Sequence, residues 1–262
     1  MGVSLLSGAF GTVRLTSLHD GHIARLDLDT GTPHNVITSA ALDDIRAALD
    51  HVIANPPRVL IIAGRRENFS RGAAVDEISG LGADFRRYID REFALFSAVE
   101  ALPFVTIAAL TGTTIGNAAE LTLACDFRIA TEAARFSLPE VAIGFVAPAQ
   151  RLCRYVGLGV AKDILLGARL LGAEEALRLG LFSRVVPEAE FEAKLLEFAV
   201  EFAGKPPIAI RVTKEGIAHA YGFAGADYDM ERKAAWDTYQ SDDVKEGFAS
   251  LRERRRPVFQ GR

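Results

Sequence analysis

The chain has 262 residues, 49% hydrophobic and 24% charged, and its 30 Lys and Arg against 34 Asp and Glu leave a formal net charge of −4. This is the composition of an ordinary globular chain, long enough for one large domain or a domain with an appendage, and its acidic balance excludes the basic footprint of a nucleic-acid binder. No run reaches the ~18 consecutive apolar residues of a membrane span, and no metal signature, P-loop or dinucleotide fingerprint is present.

In chain order, residues 1–11 are apolar, contain Gly and Ser, and lack a basic opening, so they read as a short tail and not as a signal peptide. Residues 12–15 and 22–28 read as strands joined through Leu18-His19-Asp20-Gly21, where Asp-Gly is a hairpin signal. Asn35 or Ser39 can cap a helix whose apolar face is Leu42, Ile45, Leu49 and Val52. Pro56-Pro57 stops it, and residues 58–64 form a buried strand. Strand, helix, strand at this spacing predicts a crossover unit with parallel strands. Next comes Phe69-Ser70-Arg71-Gly72-Ala73-Ala74, a loop whose glycine lets backbone approach a ligand closely, or is simply a loop glycine. Residues 84–101 are amphipathic, with Phe85, Ile89, Phe93 and Phe96 on one stripe, which predicts a core-facing helix.

Residues 104–110 are an apolar run of strand length. The turn-prone Thr111-Gly112-Thr113-Thr114-Ile115-Gly116-Asn117 follows, then a short helix over 118–124. A helix start leaves N–H groups unpaired and suits an oxyanion. Glu120 sits just inside that helix, and Glu140 follows a phenylalanine-rich strand and a proline. Residues 151–167 read as helices punctuated by Gly157 and Gly159, and 173–180 as a short helix closed by glycine. Beyond Pro187 only helices are expected: one with Phe191, Leu195, Phe198 and Phe202 on its face, then 208–219, 227–240 and 242–254. Cys125 and Cys153 stand in no metal-like spacing, so free thiols in a reducing, cytoplasmic compartment are the expectation.

Residues 112–126 and 136–144, together with Phe69-Ser70-Arg71-Gly72-Ala73, resemble the crotonase superfamily, also called the enoyl-CoA hydratase/isomerase family. Leu181-Phe182-Ser183-Arg184-Val185-Val186-Pro187 and the closing Ser241 to Phe248 segment with Arg256-Pro257-Val258-Phe259 are similar to family segments as well, so the likeness runs in order along nearly the whole chain. It implies an α/β fold, a spiral of repeated strand–strand–helix units, with an all-helical C-terminal segment. Residues 1–187 would hold the CoA and acyl sites, and 188–262 would make trimer contacts, giving a homotrimer or a hexamer built as a dimer of trimers. The implied partner is an acyl-CoA, bound as substrate, with no metal and no further cofactor, no nucleic acid and no membrane.

The resemblance also implies roles. The N–H groups of Ala73 and Asn117 would polarise the thioester carbonyl, and donors of this kind are worth ~3–4 kcal/mol each in a precedent system. Glu120 and Glu140, 20 positions apart in the sequence, would be the acid–base pair, one activating water at the β-carbon and the other moving the proton at the α-carbon. Burial and mutual repulsion would raise a carboxyl pKa towards working pH. Ser70, Arg71, Gly72, Gly116, Gly144 and Pro148 would line the substrate. The basic cluster Arg252, Arg254, Arg255 and Arg256 is a solvated helix end or, given a CoA ligand, a phosphate contact. His34 lies by the CoA groove that the resemblance implies and reads as a loop residue, and His219, in the all-helical region, has no identifiable partner.

Four departures from the family pattern stand out. Asn117 occupies a place usually held by glycine, and its side chain fills room that glycine leaves open. Ala74 replaces an acidic residue. The loop from Gly144 to Leu152 is shorter and has no glycine pair, and the stretch Thr32-Pro33-His34-Asn35 is shorter too. They imply a changed acyl group or other chemistry on the same enolate. The readings are therefore a 2-enoyl-CoA hydratase; an isomerase, decarboxylase or carbon–carbon bond enzyme needing one glutamate; or a non-catalytic acyl-thioester binding module.

Overall fold

The structure, a computed structural model, describes residues 7–32, 34–64, 67–223 and 228–261. Most of the expected N-terminal tail, Pro33 in the shortened stretch and Asp227, where a late helix was expected to begin, lie outside the described residues.

The first strands are β1 (Gly8–Phe10), β2 (Val13–Leu18) and β3 (Ile23–Leu28). β2 and β3 pair antiparallel with Leu18 opposite Ile23, across a short turn in which Asp20 takes a left-handed conformation, φ 54°. Helix α1 (Ser39–Ala54) crosses over to β4 (Val59–Gly64), which lies parallel to β3. The helix buries Leu42, Ile45, Leu49 and Val52, as the spacing predicts. Its cap is neither Asn35 nor Ser39 but Thr38, whose hydroxyl accepts from the Ala41 N–H at 3.1 Å. Asn35 is left-handed instead, φ 52°, and ties the loops together from inside. Its Nδ2 donates to Leu28 O at 2.9 Å and Phe69 O at 2.7 Å, while its Oδ1 accepts from Thr30 N at 2.9 Å.

A short helix α2 (Val75–Ile78) and the long α3 (Phe85–Glu100) lead to β5 (Val105–Leu110), parallel to β4. The segment read as a turn contains a short strand, β6 (Thr113–Ile115), before α4 (Asn117–Leu123), β7 (Phe127–Thr131) and β8 (Arg135–Ser137). A three-residue strand carries too little alternation to be seen in sequence; its pairing with β8 makes it one. Helices α5 (Ala149–Leu152) and α6 (Leu158–Leu166), strand β9 (Leu170–Gly172), α7 (Ala173–Arg178) and β10 (Arg184–Val186) complete the mixed region. Among the described residues after Pro187 there are helices and no strands: α8 (Phe191–Ala203), α9 (Pro207–Ala220), α10 (Asp229–Tyr239) and α11 (Asp242–Glu253).

Among the described residues, β1-β2-β3-β4-β5-β7-β10 form one sheet, parallel from β3 onward, and β6-β8-β9 a second. Strand alternation decides which face each residue serves. Leu60 and Ile62 of β4 point into the main core with α1 and α3. Val59, Ile61 and Ala63 point the other way, where Phe191, Leu195, Ala199 and Ala203 of α8 cover them. Burial on both faces explains why β4 and, apart from Thr106, β5 are apolar along their length.

Candidate active site

The site is built where two loops are zipped together. Ser70 N donates to Thr113 O at 3.2 Å and Ile115 N to Ser70 O at 3.1 Å, so the 69–73 loop runs beside β6. Gly72 lies in the left-handed region, φ 82°, and a Cβ there would sit 2.5 Å from Ile115 O and 3.4 Å from Asn117 Oδ1. Only glycine fits that approach. It places Ala73, the next residue, beside the start of α4. Across the seam Gly116, φ 62°, turns the chain into α4, and its N–H is fixed by Ser137 O at 3.0 Å. Among the described residues the N–H groups of Ala73 and Asn117 donate to no protein acceptor.

The two predicted glutamates come to this seam from different elements. Glu120 is in α4 and 5% exposed. Burial pushes its carboxyl up to about 8, against the pull of Arg151, with Glu92 and Glu231 adding to the rise. Glu140 opens the 3₁₀ turn Glu140–Ile143 after Pro139. A Cβ on Gly116 would lie 3.6 Å from its Oε1, so Glu140 faces the start of α4. The residue is half-buried, but its Oε2 is enclosed and has no hydrogen-bond partner. Burial pushes this carboxyl up to about 8 too, its own backbone N–H opposing and the charges of Glu120 and Glu92 adding. Each carboxyl therefore keeps its proton well above the usual carboxylate range.

Sequence reasoning missed the groups surrounding them. Arg151 is fully buried and donates to Glu120 Oε1; its other nitrogens reach Ser97 Oγ at 3.3 Å and Glu100 at 4.0 Å. Its guanidinium lies 4.0 Å from the centre of the Tyr228 ring, a cation–π contact strengthened by the absence of water. Arg151 belongs to the Gln150-Arg151-Leu152 segment, which the family pattern marks but to which no role attaches in sequence. Glu92 was hidden in the apolar stripe of α3, and a carboxylate at that phase was the available signal. It is 6% exposed and accepts from Asn117 Nδ2 at 2.6 Å and Tyr88 OH at 3.1 Å. Burial raises its carboxyl as well, against its two hydrogen bonds and Arg151.

The remaining predicted residues fall in different places. Ser70 is buried, and its hydroxyl accepts from Gly72 N at 3.0 Å, bracing the loop. Arg71 is exposed and Pro148 is buried at the entry to α5. Gly144 ends the turn carrying Glu140 in the left-handed region, φ 81°, with a Cβ position 3.0 Å from the Asp243 and Val244 backbone of α11. On the other side Gly247 abuts the backbone of Ile143. Gly144 also borders a cavity of about 420 Å³ that reaches Ser241 and Phe259. Arg255 pairs with Glu246 and Glu253.

The family model for enoyl-CoA hydratase/isomerase matches residues 19–262. A Bacillus subtilis protein named "Probable enoyl-CoA hydratase" is 33% identical over 238 residues, 87% of this chain and 92% of its own length. The crystal structure of an enoyl-CoA hydratase from Mycobacterium avium subsp. paratuberculosis superposes with a TM-score of 0.85 at 26% identity, covering 96% of this chain and all of that one. A methylmalonyl-CoA decarboxylase in complex with 2-nitronate-propionyl-CoA also superposes with a TM-score of 0.85, at 25% identity over 97% of this chain and all of that one. The chain belongs to the enoyl-CoA hydratase/isomerase family, the crotonase superfamily. It has the crotonase fold and is an enzyme of that family.

Proposed function

We propose that the protein is an enoyl-CoA hydratase, adding water across the double bond of a 2-enoyl-CoA. The observation that carries this reading is the pair of buried carboxyls, Glu120 and Glu140, both displaced to about 8 on either side of the start of α4. The amide N–H groups of Ala73 and Asn117 donate to the thioester oxygen and stabilise the enolate as it forms. Glu120, ionised, takes one proton from water while the water oxygen bonds to the β-carbon. The π electrons move onto the enolate, and protonated Glu140 gives its proton to the α-carbon. The proton on Glu120 then returns to Glu140, which restores the starting state. The substrate is the CoA thioester itself, with no metal and no further cofactor.

One observation favours a second reading within the superfamily. Arg151 holds Oε1 of Glu120, whereas Glu140 Oε2 is unpartnered. A single free carboxyl suffices for isomerisation or decarboxylation through the same enolate, and a neighbour of equal TM-score is a decarboxylase. Crotonyl-CoA separates the two: hydration removes the absorbance of the conjugated thioester. Glu120→Gln and Glu140→Gln are each expected to lower turnover ~100-fold or more with the fold intact. An unchanged absorbance while acyl-CoA still binds would exclude hydration and leave the one-carboxyl chemistry.

Self-association as a trimer or hexamer belongs to the same proposal. Helix α9 buries none of its residues, and Ile208, Val212 and Ile217 along it and Tyr221 just past its end are exposed. Apolar surface of this extent is commonly covered by a partner. No helix among the described residues is long and apolar enough to cross a membrane, and a cytoplasmic location is part of the proposal.

A further inference from the structure

Glu92 takes no part in the proton transfers above, yet it holds the residue they depend on. Asn117 has two donors on Nδ2. One meets Glu92 Oε2 at 2.6 Å and the other Tyr88 OH at 3.2 Å; the tyrosine in turn donates to Glu92 at 3.1 Å. All three groups are buried. The amide orientation follows, since only a donor serves a carboxylate. Oδ1 is thereby turned away from α3 towards Gly72, where it is enclosed without a partner, and Asn117 as a whole is 8% exposed. An enclosed, unpaired amide oxygen is costly. The two hydrogen bonds to α3, one of them the short contact with Glu92 Oε2, offset that cost.

A glycine at position 117 would leave the peptide held from its backbone side only. Here it is also held through the side chain, from a helix that neither loop of the seam belongs to. We infer that Glu92 is a positioning residue: through the Asn117 side chain it fixes the amide of residue 117 against the Gly72–Ala73 turn. One of the two oxyanion donors of this chain is thus set by α3. The inference rests on the proposed role of the Ala73 and Asn117 amides, and it concerns their placement whichever enolate chemistry follows.

The test compares Glu92→Leu, Glu92→Gln, Tyr88→Phe, Asn117→Gly and the double variant Glu92→Leu/Asn117→Gly. Two readouts are used: kcat and KM for crotonyl-CoA, and the enolate absorbance of bound acetoacetyl-CoA, which reports the oxyanion donors at equilibrium. Glu92→Leu is expected to lower kcat about tenfold or more, with KM changed less than about twofold, and to weaken the enolate band. Glu92→Gln keeps an acceptor for Nδ2 and is expected to stay within about threefold of wild type. Tyr88→Phe, which serves if Glu92→Leu does not fold, moves both readouts the same way by less. In the Asn117→Gly background the Glu92→Leu change is expected to move the enolate band by under about twofold, since its route to that amide is gone, while kcat still registers the Glu92 charge felt by Glu120 and Glu140.

A wild-type kcat and enolate band in Glu92→Leu would overturn the inference. An undiminished loss of the enolate band in the Asn117→Gly background would also overturn it, since Glu92 would then act by a route other than the residue 117 amide. A wild type that enolises acetoacetyl-CoA without hydrating crotonyl-CoA would remove hydration alone and leave the enolate band to decide. A wild type that binds acyl-CoA and does neither removes the oxyanion role, and this inference with it.

Discussion

Gly72→Ala puts two penalties on one residue, and the molecule contains a control that separates them. At φ 82° any L side chain is strained, which costs ~1 kcal/mol. The added methyl would also sit 2.5 Å from Ile115 O, where ordinary contact begins at 3.4 Å, so the loops must part by 0.9 Å (3.4 − 2.5). Ile115 is two residues before Asn117, and Ala73 is the next residue after Gly72. The parting therefore falls on the two amides that would hold the thioester oxygen. A misplacement of ~1 Å at reacting groups costs on the order of 100-fold in rate. Gly31 has φ 74° and nothing within 4 Å of its Cβ position, so Gly31→Ala isolates the backbone strain. The expected outcome is a similar ~1 kcal/mol of strain in both variants, a further loss in Gly72→Ala alone, and a kcat for crotonyl-CoA lowered 10- to about 100-fold in Gly72→Ala and unchanged in Gly31→Ala. Urea denaturation and steady-state kinetics read both. Equal stability losses with a wild-type kcat in Gly72→Ala would show that the close approach of the two loops does not control the oxyanion site.

Two further outcomes follow from buried groups. Burial raises the Glu140 carboxyl from 4.5 to about 8, so the folded state binds the proton more tightly than the unfolded chain, and the stability this contributes is present below about 4.5 and lost as pH rises through about 8. Glu140→Gln removes that dependence and is expected to match wild type near pH 4.5 and to exceed it by on the order of 1–3 kcal/mol above pH 8, read from urea midpoints across the range. A constant difference across that range would refute it. Asn35→Ala deletes three side-chain hydrogen bonds, two of them buried, and leaves an alanine at φ 52°, an expected loss of ~2–4 kcal/mol in chemical denaturation. A loss under ~0.5 kcal/mol would mean that water replaces the amide at no cost.

What sequence could reveal depended on how local the cause was. α1, α3 and β5 announce themselves because periodicity and chain breakers act within one element. Gly72, Glu120 and Glu140 were legible because the residues around them form contiguous patterns. Arg151, Glu92 and Tyr88 were not, because their roles exist only once α3 and α5 pack against α4. Asn35 shows the same limit. Beside a helix start it resembled a cap, yet its left-handed backbone sends the side chain to Leu28 O nearby and to Phe69 O, 34 residues further along the chain.

The contact of Gly144 and Gly247 with the facing backbones of α11 and the 3₁₀ turn leaves no side chain between them to absorb movement. A shift of α11 at this contact therefore passes to the turn that carries Glu140 with nothing softer than main chain in between.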